Sequence, residues 1–109
     1  MSRLKLIVKG PRYFARGDED AFFNWLRTIK CIKDVGGEGS DLHVTLARPL
    51  GNADLRELLA LFFRYRMDMK CLAVFRTSRN AGWFAENPKA FWHSKVFGRK
   101  PKDTLFTKR

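Results

Sequence analysis

The sequence predicts an α+β fold: a ferredoxin-like β-α-β-β-α-β sandwich with an appended C-terminal helix and a basic tail. Three observations lead to this prediction. Apolar residues alternate with period two in some segments, and they recur with the period of a helix in others. The length of 109 residues fits one domain. We therefore expect a single domain over residues 1–98 and a flexible tail over residues 99–109.

The first half of the chain predicts three strands and a helix. Apolar and polar side chains alternate over residues 3–9, which is typical of a strand with one buried face. A helix is expected over residues 18–30, because three acidic residues suit its first turn and the apolar residues that follow share one side. Strands are expected over residues 31–35 and 41–47, joined by a glycine-rich turn over residues 36–40.

The second half predicts the remaining elements of the sandwich. Leucines and phenylalanines form an apolar stripe over residues 52–67, which indicates the second helix. The short apolar run over residues 71–75 is interpreted as the fourth strand, and residues 77–82 as a loop. An Asn-Pro pair then predicts the start of a short helix over residues 88–98. Both long helices should cover one face of the sheet, because each element has one apolar side to bury.

Positive charge is the main feature of the composition. The chain has 22 Lys and Arg residues against 11 Asp and Glu residues, a net charge of +11. This excess supports one functional hypothesis, sequence-nonspecific binding of nucleic acid by a basic sheet face and the tail. The residues expected to contact phosphate are Lys5, Lys9, Lys33, Arg99, Lys100 and Lys102. Alternatively, the lysines keep an exposed sheet face soluble and prevent edge pairing.

No arrangement of reactive residues in the sequence requires catalysis, and we predict that the protein is not an enzyme. Residues 43–45 fit one H-x-T element of the two-histidine phosphoesterases, but His93, the other histidine, has no hydroxyl residue two places further on. Cys31 and Cys71 lack the spacing of a metal site, so neither a metal nor another cofactor is expected. No apolar run approaches the ~20 residues that cross a bilayer, and we expect a cytoplasmic protein that contacts no membrane.

Large aromatic and arginine side chains in the last part of the domain predict a surface that binds another protein. Tyrosine, tryptophan and arginine are the residues most often found at the energetic centres of interfaces. The candidate contact residues are Arg64, Arg66, Trp83, Phe84 and Trp92. Two other interpretations remain open. The aromatics could form a packed C-terminal cover, and the arginines could complement the negative end of the helix dipole.

Several segments together resemble small bacterial proteins of the toxin-immunity type, which are encoded beside secreted polymorphic toxins. The likeness extends over residues 4–98 and is carried by LIVKG (6–10), EDAFFNWL (19–26), DLRELLALFFRY (54–65), WF (83–84), FWH (91–93) and VFG (96–98). The resemblance implies a non-catalytic inhibitor that binds one cognate toxin domain. Inhibitors of nucleic-acid-cutting toxins tend to be acidic, whereas this chain is basic. The resemblance therefore points to a toxin with an acidic surface.

Overall fold

The protein has an α+β fold, which confirms the class predicted from its sequence. The computed structural model describes residues 2–48 and 50–98, so the tail predicted over residues 99–109 lies outside the described residues. The elements follow in the order β1 (Ser2–Lys9), α1 (Arg16–Thr28), β2 (Ile32–Glu38), β3 (Asp41–Arg48), α2 (Asn52–Arg64), a 3-10 helix (Lys70–Phe75), α3 (Ala81–Phe84) and α4 (His93–Phe97).

The three strands form one antiparallel sheet in the order β1-β3-β2. Strand β3 is antiparallel to both neighbours, so β1 and β2 run parallel and are connected by α1. In the register of β1 and β3, Leu6 lies opposite Val44 and both side chains are buried. Ile7, one residue on, points to the other face and is 58% exposed. The alternation read from the sequence therefore separates a core face from an open face.

Strand β2 extends further than the sequence predicts, because two of the glycines belong to the strand. Gly36 and Gly37 pair with β3, and pairing continues to Glu38. Only Gly39 and Ser40 remain as the turn. Gly39 has φ of +63°, a left-handed conformation that glycine adopts at low cost and that suits a two-residue hairpin turn.

Helices α1 and α2 both cover the core face of the sheet. Phe22 and Leu26 of α1 are at most 1% exposed, as are Leu58 and Phe62 of α2. They form one apolar cluster with the inward-facing residues of the strands. Full burial of such a side chain stabilises the fold by roughly 1.5–3 kcal/mol, so this cluster holds the two helices on the sheet.

The fourth strand of the ferredoxin-like arrangement is absent from the described residues, which corrects the prediction for residues 71–75. This segment belongs to the 3-10 helix, Lys70–Phe75. Leu72 and Phe75, three residues apart, are both buried, whereas Val74 is 45% exposed. That spacing matches the three residues per turn of a 3-10 helix. The sheet therefore ends at β1 in the part of the chain that the structure describes.

The C-terminal third also differs from its prediction. Helix α3 begins within the residues predicted as a loop and extends beyond them to Phe84, and α4 occupies only the last part of the helix predicted over residues 88–98. The side chain of Asn87 accepts a hydrogen bond from the backbone N–H of Lys89 at 3.3 Å, which forms a local turn. Gly98, with φ of +80°, ends α4. The Asn-Pro signal therefore marks a turn before the helix.

Candidate interaction surface

A groove of about 860 Å³ opens at the C-terminal end of α2. We call it the α2 groove. Its lining includes four aromatic side chains and three cations, which are Trp25, Phe62, Phe63, Phe91, Arg64, Arg66 and Lys95. Methionine side chains complete the apolar part of the wall. The groove thus combines an apolar floor with positive charge.

Two phenylalanines in the groove are unusually accessible for their size. Phe63 is 41% exposed and Phe91 is 46% exposed. Their ring centroids lie 4.7 Å apart at an interplanar angle of 59°. The Nζ atom of Lys95 lies 5.8 Å from the centroid of the Phe63 ring. An accessible aromatic pair beside a cation is a feature of binding surfaces.

The end of α2 places the two predicted arginines at this groove. The backbone N–H of Arg66 donates to the carbonyl oxygen of Phe63 at 3.2 Å, and that of Met67 donates to the carbonyl oxygen of Phe62 at 2.9 Å. These two hydrogen bonds form a Schellman motif, whose left-handed position usually holds glycine. Here the position holds Arg66, with φ of +57°. The helix therefore ends before the Met67 that the sequence predicts as its last residue.

A second cavity, of about 730 Å³, shares part of its lining with the α2 groove. Arg64 and Arg66 line both cavities, so the two cavities adjoin at residues 64–66, which we call the arginine ridge. Lys9 and Arg12 add further positive charge to the second cavity. Phe14, also in its lining, is 80% exposed.

Carboxylates are scarce along this surface. The lining of the α2 groove contains no Asp or Glu among the described residues, and that of the second cavity contains only Asp18. An oxygen of Asp18 accepts a hydrogen bond from the backbone N–H of Phe14 at 3.0 Å. Within residues 2–48 and 50–98, neither Arg64 nor Arg66 forms an ion pair within 4.0 Å. The described residues therefore supply no carboxylate partner to either guanidinium group.

The three other residues predicted to contact a partner do not line this groove. Phe84 is fully buried and Trp92 is 8% exposed, and the indole Nε1 of Trp92 donates to the carbonyl oxygen of Phe84 at 2.8 Å. Trp83 is partly buried beneath Arg56, whose Cζ atom lies 4.0 Å from its ring centroid. Burial removes Phe84 and Trp92 from the accessible surface. Phe84 and Trp92 belong to the hydrophobic core, and Trp83 packs against it.

Sequence reasoning missed Phe63 and Phe91 as accessible residues. The sequence pattern places Phe63 in the apolar stripe of the second helix and Phe91 in the short C-terminal helix, and it marks neither as a contact residue. One signal was present, since adjacent helical positions differ by 100° and Phe62 and Phe63 therefore point in different directions. The contact between Phe63 and Phe91 is tertiary, and no local pattern marks it.

The open face of the sheet, which the nucleic-acid hypothesis uses, carries both signs of charge. Lys9 of β1 lies directly opposite Asp41 of β3. Lys5 lies opposite Thr45, and Thr45 in turn lies opposite Asp34 on β2. The carboxylates therefore interrupt the row of lysines that a phosphate backbone would follow.

The other basic residue of the nucleic-acid hypothesis that the structure describes, Lys33, does not lie beside Lys5 and Lys9. Lys33 lies at a bulge in β2, on the opposite edge of the sheet from Lys5 and Lys9. The tail residues Arg99, Lys100 and Lys102 lie outside the described residues. The described part of the chain thus holds three of the six predicted lysines and arginines, on two different strands.

The histidines and cysteines lie in separate parts of the fold, with Cys31 between α1 and β2 and Cys71 in the 3-10 helix. His43 on β3 is 3.3 Å from the carboxylate of Glu38, while the ring of His93 on α4 is hydrogen-bonded to the carbonyl oxygen of Ala85 at 2.9 Å. No group of three His, Cys, Asp or Glu side chains in the described ranges could hold a metal ion. Burial raises the pKa of the thiols of Cys31 and Cys71 to about 11, so both are protonated at neutral pH.

Across the helices that the structure describes, none is long and apolar enough to cross a membrane. Comparison with known proteins gave no match: no family model, no curated protein and no solved structure matches this chain.

Proposed function

We propose that the protein is a non-catalytic protein-binding module whose partner docks in the α2 groove. The observation that carries this proposal is the accessible pair of Phe63 and Phe91 beside the arginine ridge. By its resemblance to proteins of the toxin-immunity type, we further propose that the partner is a cognate bacterial toxin domain. Free cysteines at positions 31 and 71 agree with a cytoplasmic site of action.

The layout of the groove resembles that of a protein interface. Interfaces commonly have an apolar centre with aromatic side chains, surrounded by a polar rim. Phe63 and Phe91 supply such a centre, and Arg64 and Lys95 supply charge around it. Burying both rings against a partner would remove apolar surface from water, which is the dominant favourable contribution to most associations.

The mechanism is steric occlusion by a preformed surface. The floor of the groove includes Phe62 and Met67, both of which belong to the hydrophobic core. Because these residues are packed, the groove needs little ordering when a partner binds, and the entropy cost of association is lower. The cations accelerate the encounter with an acidic partner and help to exclude a basic one.

The proposal can be tested with the product of the neighbouring gene. We expect the two proteins to co-purify, and we expect the double substitution Phe63→Ala, Phe91→Ala to weaken binding by roughly 30-fold or more, as for an interface hot spot. Val74→Ala is the matched control, because Val74 is 45% exposed on the 3-10 helix and does not line the groove. Calorimetry of each variant against the same partner gives the dissociation constants.

Circular dichroism must first show that the double variant is folded. Absence of any complex, or a double variant that binds as tightly as the parent protein, would contradict the proposal. Equal losses in the double variant and in Val74→Ala would also contradict it, because the effect would then not belong to the groove.

Sequence-nonspecific binding of nucleic acid is the alternative function. The basic residues Lys5 and Lys9 share the open face of the sheet, which favours it, but Asp34 and Asp41 lie on that face too. The alternative predicts that the logarithm of the binding constant falls linearly with the logarithm of salt concentration. No binding of a labelled duplex at low salt would eliminate it.

A further inference from the structure

We propose that the partner segment in the α2 groove is acidic, and that it crosses the arginine ridge with an apolar side chain anchored against Phe63 and Phe91. This inference rests on the proposed function and adds the chemistry of the partner. Three observations carry it, concerning charge, backbone conformation and the shape of the aromatic pair.

The first observation is the uncompensated charge of the ridge. Arg64 and Arg66 line both cavities, and Lys9, Arg12 and Lys95 lie around them. Only one carboxylate, that of Asp18, lines either cavity among the described residues. A chain that extends from one cavity into the other would meet cations in both, which favours carboxylate side chains.

The second observation is the conformation of Arg66. It is the one non-glycine residue with positive φ in the described part of the chain. Glycine would close α2 there without the steric conflict that a side chain causes. Strained residues of this kind often lie at functional sites. Since Arg66 makes no ion pair with the described residues, its guanidinium is suited to bidentate contact with a partner's carboxylate.

The third observation, the geometry of the aromatic pair, favours a peptide over a nucleic-acid strand as the ligand. Single-stranded nucleic acid stacks its bases on open aromatic faces. Phe63 and Phe91 instead tilt against each other with centroids 4.7 Å apart, so each ring partly covers the other. The adjoining wall contains Met67 and Met69, whose flexible thioethers adapt to irregular apolar side chains. An acidic peptide with an apolar anchor fits this surface better than a row of bases.

An unbiased selection tests the inference. The full chain is immobilised and presented with a phage library of random dodecapeptides at physiological ionic strength. We expect selected peptides to combine Asp or Glu with an aromatic or large aliphatic residue. For a synthetic copy of the most enriched peptide, the double substitution Arg64→Glu, Arg66→Glu should weaken binding at least tenfold, the loss expected for energetically important interface contacts. Arg79→Glu is the matched control, because Arg79 is exposed and lines neither cavity.

The outcomes distinguish this inference from the proposed function. Neutral or basic peptides whose binding is lost in Phe63→Ala would overturn the acidic partner but support the groove as a docking site. Peptides that bind Phe63→Ala as tightly as the parent protein would contradict the proposed function itself. A labelled oligo-dT could compete with the selected peptide and lose its binding in the arginine double variant. That result would show that the groove binds nucleic acid and not an acidic peptide. If no peptide is enriched, the inference fails.

Discussion

The backbone N–H of Met67 donates a 2.9 Å hydrogen bond to the carbonyl oxygen of Phe62, and this bond closes the C-terminal end of α2. Closing the helix in this way forces the intervening Arg66 into the left-handed region, with φ of +57°. The same turn carries the arginine side chain to the groove. A single backbone motif therefore couples the stability of the helix end to the charge of the interaction surface.

We expect Arg66→Gly to raise the free energy of unfolding by about 0.5–1 kcal/mol. An L-residue in the left-handed region costs ~1–2 kcal/mol, which glycine avoids. Part of this stabilisation is offset, because glycine gives the unfolded chain more conformational freedom that folding must remove. The free energy is measured by urea denaturation. Arg66→Ala is the control, since it removes the same charge but keeps a Cβ atom at φ of +57°. Equal stabilisation by both substitutions would show that relief of charge repulsion, and not backbone strain, is the cause.

The adjacent phenylalanines 62 and 63 should respond very differently to truncation. Phe62 is 1% exposed, so Phe62→Ala leaves a cavity and should cost about 3–5 kcal/mol. Phe63 is 41% exposed, and Phe63→Ala should cost only about 1 kcal/mol, chiefly through its contact with Phe91. Chemical denaturation of the two variants measures both costs. Similar losses at the two positions would contradict the burial of the Phe62 ring and the exposure of the Phe63 ring.

The order β1-α1-β2-β3-α2 could be predicted because its residues carry strong periodicity. Leu6 and Val8 alternate with exposed neighbours, and the stripe of α2 recurs at helical spacing. The run over residues 71–75 has no such period, and five apolar residues suit a strand or a buried helical turn equally well. The structure has a 3-10 helix in this segment. At its first residue, the backbone N–H of Lys70 donates a hydrogen bond to the carboxylate of Asp68 at 3.0 Å.

Only the arginines of the candidate site could be predicted from the sequence. Arg64 and Arg66 could be named because arginines at a helix end are visible in the sequence, and both line the groove. The aromatic partners could not be named, because burial of Trp92 and exposure of Phe91 depend on tertiary contacts between distant residues. Trp92 finds an acceptor in the carbonyl of Phe84, so its indole can be buried at low cost.

Asn80 is the buried polar residue on which the C-terminal third depends. Its side-chain oxygen accepts a hydrogen bond from the N–H of Thr77 at 2.8 Å, and its Nδ2 donates to the carbonyl oxygen of Phe75 at 2.9 Å. Asn80→Ala leaves both backbone groups without these partners and should cost about 2 kcal/mol in the free energy of unfolding. The control Asn87→Ala removes an exposed turn contact and should cost about 0.5 kcal/mol or less. A comparable loss at both positions in thermal denaturation would refute this role for Asn80.

The two thiols should make the fold less stable as the pH rises into the alkaline range. Burial raises the pKa of Cys31 and Cys71 from 9.0 to about 11, with smaller contributions from the nearby carboxylates of Asp54 and Asp68. Between pH 9 and about 11 the unfolded chain loses thiol protons that the folded protein keeps. The thiol contribution to stability is therefore fully present below pH 9 and is lost as pH rises through 11.

The double substitution Cys31→Ala, Cys71→Ala isolates this effect from the titration of lysines and tyrosines, which both proteins share. Urea denaturation of the parent and the variant across the alkaline range should show a steeper decline in the free energy of unfolding for the parent. The same burial predicts slow reaction of both thiols with an aromatic disulfide reagent near pH 8, because the thiolate is the reactive form. Parallel stability curves, together with thiols that react at the rate of an unfolded cysteine, would mean that neither side chain is shielded as the structure places it.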